Sequence, residues 1–277
     1  MSTVPIVRVE HLVKRYQESG RAALNDVSFE VAEGAFFALL GPNGAGKTTA
    51  ISVLVTTLAK TSGFVSVGGV ELDRDPRGIR SQIGVVFQSP SLDEELSGEQ
   101  NVRIEACLYG MYAYRPLLAL MPRTYLERVQ ELAVVFGLDE VIARPVRTYS
   151  GGMRRKLEIV RCLIHRPRVL FLDEPTTGLD PESRHAFWEY VHRAWREHGI
   201  TVVLTTHYLA EAEAADAVCV IDRGTVSISG SPDELKRGLV DRYVEVDADD
   251  RGASLSRCSW GSISRSPVSF ACSSSRQ

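Results

Sequence analysis

Long apolar runs, paired cysteines and a dominant sign of charge are all missing from this 277-residue chain, and each absence removes a class of protein. No uncharged apolar stretch approaches the roughly 18 residues needed to cross a bilayer, so any membrane role is expected to be peripheral. The opening MSTVPIVRVEHLVKRY has no charged head followed by an apolar run, so no signal peptide is expected. The chain is therefore expected to stay in the compartment where it is made. Cys107, Cys162, Cys219, Cys258 and Cys272 form an odd, scattered set without a CxxC pair. That pattern argues against a disulfide framework or a zinc site and for small buried hydrophobes in a reducing cytosol. A net charge of −3 argues against a protein that coats nucleic acid, and no nucleic-acid partner is expected. What remains, 44% hydrophobic and 24% charged residues, is an ordinary globular composition with length for one large domain or two lobes.

Read along the chain, residues 6–9 and 27–31 alternate like half-buried strands. Gly34 introduces the continuous apolar run 35–40, which fits a strand buried on both faces, and residues 47–58 have helical spacing. Residues 83–87 read as a further buried strand ending at Gln88. From about 89 to 165 the character changes, with helical periodicity in Leu126, Val129, Leu132, Ala133 and Phe136 that predicts a helical lobe inserted in an α/β core. Strands resume at 169–172 and 201–205 around a helix at 184–197, and Asp222-Arg223-Gly224 joins 218–221 to 225–228 as a hairpin. The main domain is expected to span 1–240. The tail, 241–277, departs from it: of the 27 residues from Arg251 on, ten are serine, four arginine and none acidic. This composition predicts disorder. Residues 243–247 look like a strand just begun, and the segment after it resembles out-of-frame translation.

Between strand and helix stands Gly41-Pro42-Asn43-Gly44-Ala45-Gly46-Lys47-Thr48, followed by Thr49. The pattern GxxxxGK[ST] lets the backbone wrap round an anion, with N–H groups pointing inward and the positive end of the next helix behind them. Lys47 is expected to reach the terminal phosphates of ATP and the Thr48 hydroxyl to ligate Mg2+. The bland alternative is a glycine-rich turn before a helix. Farther on, the strand 169–172 delivers Asp173 and Glu174 at its carboxyl end, where ligands sit in open α/β sheets. Asp173 would hold the metal through water, while Glu174, pointing the other way along the pleat, would orient and deprotonate a water. Alternatively, the acid pair caps the helix that follows.

Between these motifs lie Tyr149-Ser150-Gly151-Gly152-Met153 and RRKLEIVRCLIHRPRVLFLDEPTTGLDP, which resemble the signature segment and acidic strand of the ATP-binding cassette superfamily. The resemblance covers roughly residues 5–235. It implies an α/β fold with a P-loop NTPase core, a mixed sheet with flanking helices, an N-terminal antiparallel β subdomain and an inserted helical subdomain. By the same resemblance Tyr16 stacks on adenine, though the residue alone reads as a strand-end aromatic. Gln88 touches the metal, and Ser150, Gly151 and Gly152 contact the γ-phosphate held by a second subunit packed head to tail. Asp180 lines the seam between subunits. His207 reaches the γ-phosphate and positions Glu174, although a histidine ending a strand is more often structural.

Two departures, Tyr149 for leucine and Met153 for glutamine, together with QSPSLDEEL and HRPRVLFLDEPTTGLDP, resemble the daunorubicin/doxorubicin-resistance type of exporter ATPase. Members of that group pair with a separate permease at the cytoplasmic face of the cell membrane. Residues 112–124 are longer than usual there and read as a permease-docking surface or as an oddity of this chain. Transport of a polysaccharide or ion stays open. Translation, repair and chromosome ATPases of the superfamily fit poorly, since the chain has one phosphate loop and no heptad repeat.

Overall fold

The computed structural model describes residues 4–16, 20–88 and 91–239. The chain divides after Val240, and the first unit is Met1–Val240. The expectations for 243–247 and for the serine-rich tail lie outside the described residues.

Two sheets organise this unit. The first is antiparallel: β1 (Val7–Arg15) lies between β2 (Ala22–Val31) and β4 (Ser62–Val67), with the short β5 (Val70–Glu71) at the edge. The second runs β10-β9-β3-β8-β7-β6, built from β3 (Phe36–Leu40), β6 (Ile83–Val86), β7 (Val169–Asp173), β8 (Thr201–Thr206), β9 (Ala217–Asp222) and β10 (Thr225–Gly230). Its strands pair in parallel except for the β9–β10 hairpin.

The continuous apolar runs of β3, β7 and β8 follow from burial on both faces. Phe36, Ala38, Leu170, Leu172, Val202 and Leu204 enter one core. Their chain neighbours Phe37, Leu39, Val169, Phe171 and Val203 enter the other. The first core is closed by α3 (Gly98–Leu108), α4 (Arg123–Val135), α5 (Gly151–Leu163) and α6 (Pro181–His198). The second is closed by α1 (Lys47–Leu54), α2 (Pro76–Arg80) and the antiparallel sheet. Two short helices, α7 (Leu209–Ala212) and α8 (Pro232–Leu239), follow β8 and β10.

The first helix is shorter than the periodicity of 47–58 predicts. It ends at Leu54 because Thr56 turns left-handed at φ 66, and the amides of Thr57 and Leu58 fold back on the Ser52 carbonyl. Leu58 still packs on the core, and that contact imitates helical spacing. The strands β4 and β5 gave no usable signal, since SGFVSVGGVE carries glycine where alternation is needed. Among the described residues no helix is long and apolar enough to cross a membrane.

Candidate active site

The glycine loop joins β3 to α1 at the carboxyl edge of the parallel sheet. Its glycines have local causes. A Cβ on Gly41 would stand 2.2 Å from the Ile221 carbonyl oxygen, and Gly46 caps α1 at φ 109, a left-handed conformation. The hairpin turn braces the loop from behind: the Gly224 amide donates to Ala45 O (2.9 Å), and Asn25 donates to Gly224 O (2.7 Å). The first turn of α1 carries no acidic residue, so the helix keeps its positive end for an outside anion.

Lys47 is 3% exposed. Its Nζ donates to the carbonyls of Gly41 (2.7 Å) and Pro42 (3.0 Å) and pairs with Glu174 Oε1 at 3.2 Å. A cleft of about 290 Å³ lies over it, lined by Ala23, Asn43, Gly44, Gly46, Lys47, Thr48, Thr49, Gln88 and Glu174. Ala23 carries no chemistry that a sequence motif could flag; it reaches the cleft through the tertiary packing of β2.

The acidic pair divides its work differently from the pleat argument. Asp173 closes β7 opposite Thr205, and its Oδ1 accepts from the hydroxyls of Thr205 (2.5 Å) and Thr48 (3.2 Å). Burial pushes the Asp173 carboxyl up from its ordinary value, against those hydrogen bonds and the Lys47 charge. Glu174 is not placed by strand alternation at all. Its backbone leaves β7 left-handed at φ 45, and its amide is held by Thr205 O and Oγ1, both at 3.1 Å. This turn aims Oε1 at Lys47 and Oε2 at His207 Nδ1, 3.5 Å away. Neither acid caps the next helix; Asp180 does, accepting from the Ser183 amide at 2.9 Å. The side-chain and backbone hydrogen bonds of Ser183 hold the Asp180 carboxyl below its usual value.

Thr48 Oγ1 and Asp173 Oδ1 lie 3.2 Å apart, and Thr48 and Gln88 line the same cleft, which leaves a small number of oxygen donors for a cation. Among the described residues no group of three or more His, Cys, Asp or Glu side chains gathers to hold a metal. Such a sparse set fits Mg2+, which keeps waters and takes phosphate oxygens.

Gln88 is itself anchored. Arg155 Nη2 donates to the Gln88 carbonyl and Nη1 to Phe87 O (2.7 Å), while Arg155 pairs with buried Glu158 (2.7 Å), which accepts from the Ser91 amide (3.0 Å). Arg155 and Glu158 ride on α5, so the signature helix and the Gln88 segment share one buried charge pair. Read one-dimensionally, both are ordinary charges on an amphipathic helix.

Ser150, Gly151 and Gly152 stand at the start of α5, away from the cleft lining. Ser150 caps the helix, accepting from Met153 N at 3.2 Å. Tyr149 replaces the usual leucine with a buried ring whose hydroxyl donates to Val141 O at 2.7 Å, and burial pushes its pKa up to about 12. Tyr16 follows the end of β1 outside the cleft lining, with the Lys14 ammonium 5.2 Å from its ring centre.

Comparison with known proteins gives this arrangement its context. Residues 24–177 match the family described as ABC transporter. The chain belongs to the ATP-binding cassette transporter family. It is 41% identical over 241 residues to the doxorubicin resistance ATP-binding protein DrrA of Mycobacterium tuberculosis, covering 87% of this chain and 70% of that protein. It is 42% identical over 242 residues to the daunorubicin/doxorubicin resistance ATP-binding protein of Streptomyces peucetius, covering 86% and 70%. Among solved structures, the ATP-binding subunit of an ABC transporter superposes with a TM-score of 0.72 at 31% identity, covering 84% of this chain and 93% of that one. A dimeric cassette in a post-hydrolysis state bound to ADP and phosphate gives 0.71 at 25%, covering 82% and 98%. The cassette is thus an ABC ATPase with the α/β P-loop core and antiparallel sheet expected of it.

Proposed function

We propose that this cassette hydrolyses Mg2+-ATP as one half of a head-to-tail pair and so powers export of a drug-like or lipid-like compound through a separate permease, from the cytoplasmic face of the membrane. The observation that carries the catalytic part is Glu174, whose two oxygens face Lys47 and His207 at the edge of the phosphate loop. The cargo class rests on the relatives, named for doxorubicin and daunorubicin resistance and, at 39% identity, for Nod factor export in Ralstonia nicotianae.

In this reading backbone N–H groups of the glycine loop and of the first turn of α1, together with Lys47, hold the β- and γ-phosphates, and Tyr16 stacks on adenine. Thr48, Asp173 and Gln88 hold Mg2+, which when bound neutralises charge on the phosphate oxygens. Glu174 orients the attacking water and takes its proton, and His207 steadies Glu174 and the γ-phosphate. Ser150, Gly151 and Gly152 of a second copy close over the γ-phosphate, with Asp180 at the seam between the two.

Lys47→Ala is expected to weaken binding of a fluorescent ATP analogue by at least about tenfold, since the charge-assisted contact to phosphate goes with it. Unchanged affinity would remove Lys47 from the phosphate site. Export is tested by co-expressing the cassette with candidate permeases from its own genome and following ATP-dependent doxorubicin efflux. Efflux that Glu174→Gln abolishes is the expected result. Active hydrolysis without efflux would sink the cargo assignment.

The exposed segment ending α3 and leading to α4 supports a permease partner. Leu108, Tyr114, Leu117, Leu118 and Leu120 are all exposed. The segment is nevertheless held firmly: buried Arg103 donates to Arg115 O and Pro116 O (both 3.1 Å) and pairs with Glu99 (3.3 Å), which also accepts from the Tyr125 hydroxyl (2.8 Å). The triple change Leu117→Ser, Leu118→Ser and Leu120→Ser should leave basal ATP hydrolysis intact and abolish co-purification with the permease that supports efflux. Retained co-purification would assign the segment elsewhere.

A further inference from the structure

One buried carboxylate has no part in the chemistry above. Glu211, on α7, is 7% exposed, and every hydrogen bond it accepts comes from a different element. Its Oε1 accepts from Thr176 Oγ1 (2.5 Å) and Trp188 Nε1 (3.2 Å), and its Oε2 accepts from Thr206 Oγ1 (2.5 Å). Thr176 and Thr206 are each 1% exposed.

These partners are not arbitrary. Thr176 lies two residues beyond Glu174, and Thr206 immediately precedes His207. Along β8 successive side chains point to opposite faces. Thr205 therefore turns to the phosphate side, donating to Asp173 and accepting from the Glu174 amide. Thr206 turns to the other side and meets Glu211. The Thr206 hydroxyl also accepts from the Tyr208 amide at 2.9 Å, which closes the turn that presents His207. Glu174 has a left-handed backbone that a non-glycine residue keeps only when its surroundings over-determine it. Thr205 supplies the hold from one side. Glu211, through Thr176, supplies it from the other, and Trp188 ties both to α6.

We propose that Glu211 is a positioning residue that sets the distance between Glu174 and His207 by pinning the two turns that carry them. It touches neither substrate nor reacting atoms. The inference rests on the ATPase reading. A carboxylate suits the place because it only accepts, and the Trp188 indole only donates. Glutamine can still accept from Thr176 and Trp188 and offer its NH2 to the second lone pair of Thr206, whereas alanine leaves two buried threonine hydroxyls and the half-buried Trp188 indole unpaired.

The test measures steady-state hydrolysis and, separately, affinity for a fluorescent ATP analogue. Glu211→Ala is expected to lower kcat about 10- to 100-fold while analogue affinity stays within about threefold, because the phosphate loop hangs on β3 and α1. Glu211→Gln is expected to recover kcat to within about threefold of the parent. Unchanged kcat in Glu211→Ala, a loss of affinity as large as the loss of kcat, or a Glu211→Gln as slow as the alanine variant would each overturn the proposal. Where Glu211→Ala does not fold, Thr176→Val carries the test, since its hydroxyl donates to Glu211. A fall in kcat of about tenfold is expected, and parental kcat overturns the proposal. A parent chain without turnover would instead overturn the ATPase reading, and this inference with it.

Discussion

Glu174→Gln should bind ATP with near-parental affinity, hydrolyse it at least about 100-fold more slowly, and accumulate as an ATP-bound dimer. Glutamine keeps the shape of the side chain and an oxygen for one neighbour, but it cannot take a proton from water. Lys47 retains two carbonyl acceptors, Gly41 and Pro42, so the phosphate loop should survive the loss of the ion pair. In the proposed pair hydrolysis releases the two halves, so a variant that binds without hydrolysing should stay closed. Phosphate release and light scattering in the presence of ATP give the two readings. Parental turnover would show that another group is the base.

Ser150→Arg should abolish hydrolysis and leave ATP binding to the single chain intact. Ser150 lies outside the lining of its own chain's cleft, and the proposed pair places its effect on turnover in the site of a second copy. Its neighbour Gly151 supports this reading. Among the described residues no atom lies within 4 Å of where its Cβ would stand, and its φ is not left-handed, so none of them calls for glycine there. The close approach of a second copy, as proposed above, would call for it. The competing account is loss of the helix cap, since Ser150 accepts from Met153 N. That loss is worth about 1 kcal/mol of helix stability. Such a cost reduces the folded margin without stopping catalysis in molecules that remain folded. Ser150→Ala therefore serves as the comparison: it removes the cap and the proposed hydroxyl contact without adding bulk, and should keep more activity than Ser150→Arg. If Ser150→Arg hydrolyses ATP at the parental rate, the shared-site arrangement fails for this protein.

Much of the architecture was legible because the relevant signals are short-range. The runs at β3, β7 and β8 announce burial on both faces, and the hairpin turn at Asp222-Arg223-Gly224 announces itself by composition. The helix α1 was overextended because Leu58 is buried for a tertiary reason that looks like periodicity. Both β4 and β5 were missed because glycines interrupt their alternation, and their place is set by pairing with β1. The acid pair was read by the rule of the pleat, and the rule failed at Glu174. A strand alternates only while its backbone stays extended, and φ 45 is outside that region.

The order of residues by itself determined the phosphate loop, the strand that ends in Asp173, the signature and the family that these motifs specify. Each is a local pattern whose spacing is imposed by covalent geometry: N–H groups around an anion, a strand feeding a helix, a capped helix start. Only the tertiary structure decided how the chemistry is held. The bond from Thr205 to Asp173 spans 32 residues, that from Trp188 to Glu211 spans 23, and the clamp from Arg155 to the Gln88 carbonyl spans 67. Burial makes these contacts obligatory, because a donor or acceptor without water must find a partner wherever the fold brings one. A one-dimensional pattern records which groups are polar. Which of them lose water, and so must pair, is settled when the sheet closes.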